Sequence, residues 1–129
     1  MIQQFIELGQ GYGDVYELIA LVDTNKHRFH QAFIFTATTD EGSDVASLAV
    51  AFKPTGDSKF MPIYICREGI PYNEEKLAQR ITLFTEAVNA VNRKPVTVEL
   101  KHSSAFEEPA LFYQHIIGIL RMNNYLPQL

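Results

Sequence analysis

Leu77-Ala78-Gln79-Arg80-Ile81-Thr82-Leu83-Phe84-Thr85-Glu86-Ala87-Val88-Asn89-Ala90-Val91 decides the fold. Its apolar residues Leu77, Ile81, Phe84, Val88 and Val91 recur at steps of four, three, four and three, which lines one face of an α-helix. Asn73 is placed to cap this helix, Glu74 and Glu75 suit the positive end of its dipole, and Arg93-Lys94-Pro95 closes it. Strand-like segments lie on both sides, so the helix carries the chain across a sheet.

Upstream, Phe29–Thr38, Val45–Phe52 and Phe60–Arg67 are rich in aromatic and β-branched residues. Asp40-Glu41-Gly42-Ser43 and Pro54-Thr55-Gly56-Asp57 separate them as turns, which predicts an antiparallel meander. Consecutive Phe33-Ile34-Phe35 predicts burial on both faces of the first strand. In the second, Ala46, Leu48, Val50 and Phe52 share one face; Val45, Ser47, Ala49 and Ala51 share a small one that lets a helix approach closely. Pro62 lacks an amide, which predicts an edge or a bulge, and Gly69-Ile70-Pro71 is expected to break the sheet.

At the start, Ile2, Phe5, Ile6 and Leu8 suit a short strand stopped by Gly9. Asp14 is an N-cap candidate for a helix whose face is Val15, Leu18, Ile19 and Val22, ending at Asp23-Thr24-Asn25. At the far end, Val96, Val98 and Leu100 alternate with polar residues in a strand expected to pair parallel to the meander. Ser103-Ser104 leads into a turn, and Pro109 opens a last helix to about Met122. Its residues Leu111, Phe112, Ile116, Ile117, Ile119 and Leu120 cover more than one stripe, which predicts deep burial or a partner chain. The order is β-α-β-β-β-α-β-α: a single α+β domain over residues 1–129, one mixed sheet packed with helices.

Composition agrees with one globular domain and excludes several classes. The chain has 129 residues, 47% hydrophobic and 20% charged, with net charge −4. Residues 1–65 carry 4 basic and 8 acidic side chains, and residues 66–129 carry 7 and 7. Neither half offers the cationic face that displaces counterions from phosphate, so no nucleic-acid partner is expected. Cys66 is the one cysteine, so no intrachain disulfide forms. Met1-Ile2-Gln3-Gln4-Phe5 lacks a leader pattern and no apolar run approaches the ~20 residues that span a bilayer. The expectation is a reduced, cytoplasmic protein with no membrane partner.

Four constellations invite chemistry. Gly9-Gln10-Gly11-Tyr12-Gly13 resembles a phosphate loop, yet its spacing departs from G-x-G-x-x-G and Asp14 puts a negative charge where phosphate would sit, which favours a plain turn. Glu99-Leu100-Lys101 matches the E-x-K triplet with which nucleases of the restriction-endonuclease-like fold, aided by an upstream Asp, hold Mg²⁺. That fold's α-β-β-β-α-β order lies within the order of elements above, but its triplet sits on the strand before the second helix, not after it, and an exposed strand face explains the residues as well. His27, His30, His102 and His115 with Cys66 lack the tight spacings of metal sites, so no metal and no cofactor is expected; His115, set among apolar residues, reads as a core or interface histidine. Cys66-Arg67-Glu68 ends a strand just before a rigid turn, where ligands often sit, although an Arg67 that ties down an acidic loop is the preferred account.

A family resemblance spans the chain. Ile2-Gln3-Gln4-Phe5-Ile6-Glu7-Leu8-Gly9-Gln10-Gly11-Tyr12-Gly13-Asp14-Val15-Tyr16-Glu17-Leu18, Ser47-Leu48-Ala49-Val50, Tyr64-Ile65-Cys66-Arg67-Glu68-Gly69-Ile70-Pro71 and Ile117-Gly118-Ile119-Leu120-Arg121-Met122-Asn123 resemble a family of small uncharacterised proteins from Bacillus and related Firmicutes. Some members are labelled methylthioribose kinase, an enzyme several times longer, and this chain has neither a kinase Gly-loop-and-Lys set nor an H-x-D-type catalytic loop. The resemblance implies a bacterial cytoplasmic protein with no catalytic residues to transfer.

Three functional readings are open, in order of preference. The first is a non-catalytic protein that self-associates as a homodimer and acts by binding, with Phe112, Ile116, Ile119, Met122 and Tyr125 as its interface. The second is a small-ligand binder or enzyme with a site at Tyr12, Cys66, Arg67 and Glu68. The third is a degenerate nuclease-like fold without activity.

Overall fold

The computed structural model describes residues 2–8, 13–38, 42–56, 59–73, 75–100 and 109–127, without side chains at 13–14, 67–69 and 109–112. The elements are β1 (Ile2–Glu7), α1 (Gly13–Thr24), a 3₁₀ turn at Lys26–Arg28, β2 (Phe29–Thr38), β3 (Asp44–Phe52), β4 (Phe60–Pro71), α2 (Gln79–Asn89), β5 (Val96–Glu99) and α3 (Pro109–Met122). The strands form one five-stranded sheet in the order β1-β4-β3-β2-β5. β2, β3 and β4 are the expected antiparallel meander. β5 returns parallel beside β2, and β1 lies parallel outside β4. The expected α-β-β-β-α-β order is present from α1 to β5.

The alternation of β2 and β3 sorts two cores. Ile34, Ala46, Leu48, Val50 and Phe52 face α1 and α2, where Val15, Leu18, Val22, Ile81, Phe84 and Val88 close the layer. Phe33, Phe35, Ala49 and Ala51 face the other way, under Ile116, Ile117 and Leu120 of α3. The rings of Phe33 and Phe35 stack at 5.6 Å on that face. Two alanines side by side there let one helix settle close to the sheet.

Four expectations need revision. α2 starts at Gln79, not near Asn73; Ala78 is its N-cap and makes no side-chain bond. Asn73 caps only a local turn, its Oδ1 accepting from the Glu75 amide at 2.9 Å, and Leu77 stays 39% exposed. The cause is β4, which does not break at Gly69 but runs on to Pro71, so residues 72–78 are needed to climb from the sheet to the helix layer. Second, Pro62 is not at an edge toward β1, where it pairs with Gln4. The β3–β4 register instead stops at Ala51↔Ile63, one position before the residue that has no amide to donate. Third, Asn92 (φ 62°) ends α2 before Arg93-Lys94-Pro95 is reached: the Arg93 amide reaches back to the Val88 carbonyl at 3.3 Å across a left-handed residue. Asn124 (φ 62°) ends α3 the same way, with the Tyr125 amide on the Leu120 carbonyl at 2.9 Å. Fourth, Asp14 lies inside α1, which already begins at Gly13.

Candidate functional site

β1, β2, β4 and β5 all run in one direction, so their carboxyl ends meet on one rim of the sheet, joined there by the start of antiparallel β3. Strand carboxyl ends are where α/β folds commonly place ligands, because the chain leaves the sheet there and opens a crevice.

Cys66 of the expected site lies on this rim, and the side chains of Arg67 and Glu68 fall outside the described ones. Tyr12 falls outside the described residues. Leu8 donates its amide to the Ile65 carbonyl at 3.0 Å, so the chain leaves β1 beside Cys66. The Cys66 side chain is fully buried in the core shared with Leu48 and Ile70 and presents no thiol to a ligand. Arg67, Glu68 and Gly69 form a bulge: the register jumps from Leu48↔Cys66 to Ala46↔Ile70, so three residues of β4 oppose one of β3. A bulge bends its strand and re-aims the residues after it. Here it directs Pro71, Tyr72 and Asn73 across the rim.

The crevice lies beyond that bend, with a volume of about 500 Å³. Thr36 and Thr38 enter it from the end of β2, Asp44 from the start of β3, Tyr72, Asn73 and Glu75 from the segment after β4, and Glu99 from the end of β5. Its walls are tied together. Thr38 Oγ1 donates to Asp44 Oδ1 at 2.8 Å, the Tyr72 amide to the Asp44 carbonyl at 3.0 Å, and the Leu100 amide to the Thr36 carbonyl at 2.7 Å. Three carboxylates line it, and no lysine, arginine, histidine or cysteine does among the described residues. Glu99 of the E-x-K triplet is one of the three; Lys101 lies outside the described residues. Asp44 shares the cleft but sits two strands away, and among the described residues no three acidic, histidine or cysteine side chains group as metal ligands.

The histidines disperse. His27 and His115 are exposed, so of the two places expected for His115, core or interface, it is not in the core; its position on α3 turns it away from the sheet. His102 is outside the described residues. His30 alone is half-buried, its Nε2–H donating to the Tyr125 carbonyl at 3.1 Å, which fastens the C-terminal tail to β2. Burial pulls the pKa of His30 below its ordinary 6.5, helped by the positive charges of Lys53 and Arg93 and opposed by the Tyr125 bond. The unfolded chain therefore takes up a proton first, and stability is complete above 6.5 and falls as pH drops through it. Thermal unfolding between about pH 7 and pH 5.5 should show a loss in the wild type that His30→Gln, which keeps a donor, reduces. Equal slopes in both would remove His30 from the pH response.

The expected interface residues also separate. Ile116 is fully buried beneath α3, Tyr125 packs edge-on against Phe33 at 6.4 Å, and Ile119 is half-buried. Phe112 lies outside the described side chains. Among the described ones only Met122 is turned to solvent, 81% exposed.

One polar cluster has no counterpart among the sequence expectations. On β1, Gln3 is buried; its Oε1 accepts from Arg121 Nε at 2.6 Å and its amide donates to the Pro127 carbonyl at 2.9 Å. Tyr113 stacks on Phe5 at 4.7 Å and its hydroxyl donates to Glu7 Oε1. Polar residues so scattered along the chain give no signal that they meet across α3.

Among the described residues no helix is long and apolar enough to cross a membrane. The model of one protein family, described as a domain of unknown function (DUF7147), matches residues 1–126. No curated protein and no solved structure matches the chain.

Proposed function

The chain belongs to the DUF7147 family of domains of unknown function, and on that premise we propose that it binds a small, polar, positively charged ligand in the cleft at the strand ends. The observation that carries this is the lining itself: Asp44, Glu75 and Glu99 with Thr36, Thr38 and Tyr72, and no basic side chain among the described residues. A cation gains from three carboxylates, while the hydroxyls and the Asn73 amide orient it. The volume is of the order that small-molecule sites use. A binding role is preferred to catalysis because no cysteine, lysine or histidine lines the cleft among the described residues. The site thus sits one bend beyond Cys66-Arg67-Glu68, whose bulge aims Tyr72 and Asn73.

Thermal unfolding in the presence of putrescine, arginine, citrate and phosphate tests this. Either cation at about ten times its Kd should raise Tm by ~5 °C, whereas the anions should not. Glu99→Gln with Asp44→Asn should abolish the rise. No rise with either cation, or an equal rise with citrate, would remove the proposal. Mg²⁺-dependent DNA cleavage lost in Glu99→Gln would replace it by the nuclease reading.

A further inference from the structure

Self-association was expected through α3, yet α3 spends its apolar face on the sheet, and the surface that fits a second copy lies elsewhere. β1 ends the sheet, and no described strand pairs with its outer edge. The ladder to β4 uses its even residues, as the Ile2 amide on the Lys59 carbonyl at 2.6 Å and the Leu8 amide on the Ile65 carbonyl show. Main-chain groups of the odd positions therefore point outward. A groove of about 600 Å³ opens along this edge and is lined from both faces of the strand, by Ile2 and Gln4 on one and by Glu7, Tyr113 and Gln114 on the other. Of the usual edge protection β1 carries only the charge of Glu7: its sequence IQQFIE has no lysine, no proline and no bulge.

We propose that two copies pair antiparallel through the outer edges of β1, making one continuous sheet across a two-fold axis at Phe5. Residues 2–8 are self-complementary about that point. Phe5 opposes its own copy, Ile2, 62% exposed in the single chain, opposes Leu8 of the second copy, and Gln4 opposes Ile6. Gln3 opposes Glu7. Arg121 already stands on the Gln3 side chain, so the register sets its guanidinium across from the second copy's Glu7 carboxylate, once on each side of the axis. A carboxylate offers about four acceptor positions, so that of Glu7 can take a guanidinium alongside the partners it already has. This charge complementarity selects a second copy over an unrelated peptide, which would have to supply a carboxylate at that one position. It also offsets the mutual repulsion of two chains of net charge −4.

Sedimentation equilibrium over a concentration series tests the pairing. The wild type should be a dimer. Ile2→Lys, a change at an exposed position, should raise the dissociation constant roughly tenfold or more, because the two-fold places it in the interface twice. Glu7→Arg and Arg121→Glu should each do the same, and the two together should restore the wild-type value to within about threefold. Met122→Asp should leave it unchanged. Circular dichroism confirms that each variant is folded, and Ile2→Lys decides alone if Arg121→Glu is not. A wild type that stays monomeric into the high micromolar range overturns the proposal. So does a dimer indifferent to Ile2→Lys, or one lost in Met122→Asp, which would put the partner on the outer face of α3.

Discussion

Phe84→Ala should lower the unfolding free energy by about 3–5 kcal/mol. Phe84 is fully buried at the centre of the α2 face, in the core it shares with α1 and the sheet. Alanine leaves a cavity that its neighbours cannot fill. Leu48, Val50 and Phe52 stand on β3, which is fixed on both sides by strand ladders, and α1 is itself anchored by Val15, Leu18 and Val22. The loss is a large part of the roughly 5–15 kcal/mol that holds a domain of this size together. A urea titration should show the midpoint falling with an unchanged slope. A change under about 1 kcal/mol would mean that α2 does not pack on the sheet. There is a functional consequence. Tyr72, Asn73 and Glu75 lie on the span that hangs between β4 and α2, so the thermal rise given by a cationic ligand should shrink in the same variant even where the chain remains folded.

Much of this layout is legible in the residues. The period of Ile81, Phe84 and Val88 and the alternation of Ala46, Leu48, Val50 and Phe52 are local signals, and each states which face of an element is buried. Phe33-Ile34-Phe35 is apolar at consecutive positions because the sheet is covered on both sides. Leu77 misleads because it obeys the helical period but precedes the helix, where no face exists to join. The cleft is not legible at all. Thr36, Asp44, Tyr72 and Glu99 come from four segments that only the strand order brings together. The bulge at 67–69 is half hidden: Gly69 marks an irregularity, read from the sequence as the end of the strand, while the slip in register depends on the partner strand. Strand ends reward this kind of reading only in part: Cys66-Arg67-Glu68 stands on the rim where the cleft opens, while the side chain with the most evident chemistry, Cys66, is core.

Ile116→Ala carries the sharper test, because it separates two accounts of the same apolar helix. The wide apolar arc of α3 can mean a partner chain or a deep seat, and composition does not choose between them. The asymmetry of the sheet does. Two helices share one face, whereas among the described residues α3 covers the other together with the tail at Tyr125 and Leu126. A lone helix over a whole face must turn more of its circumference inward, which is why Ile116, Ile117 and Leu120 are all buried. If Ile116 is core, its truncation should cost about 2–5 kcal/mol in a urea titration and leave the oligomeric state untouched. If it were an interface residue, the dimer would weaken and the stability of the dissociated chain would hardly move. Met122→Ala serves as the comparison: at an exposed position it should shift stability by no more than about 0.5 kcal/mol. A small loss at Ile116 together with a weakened dimer would return self-association to α3 and remove the edge of β1 as its seat.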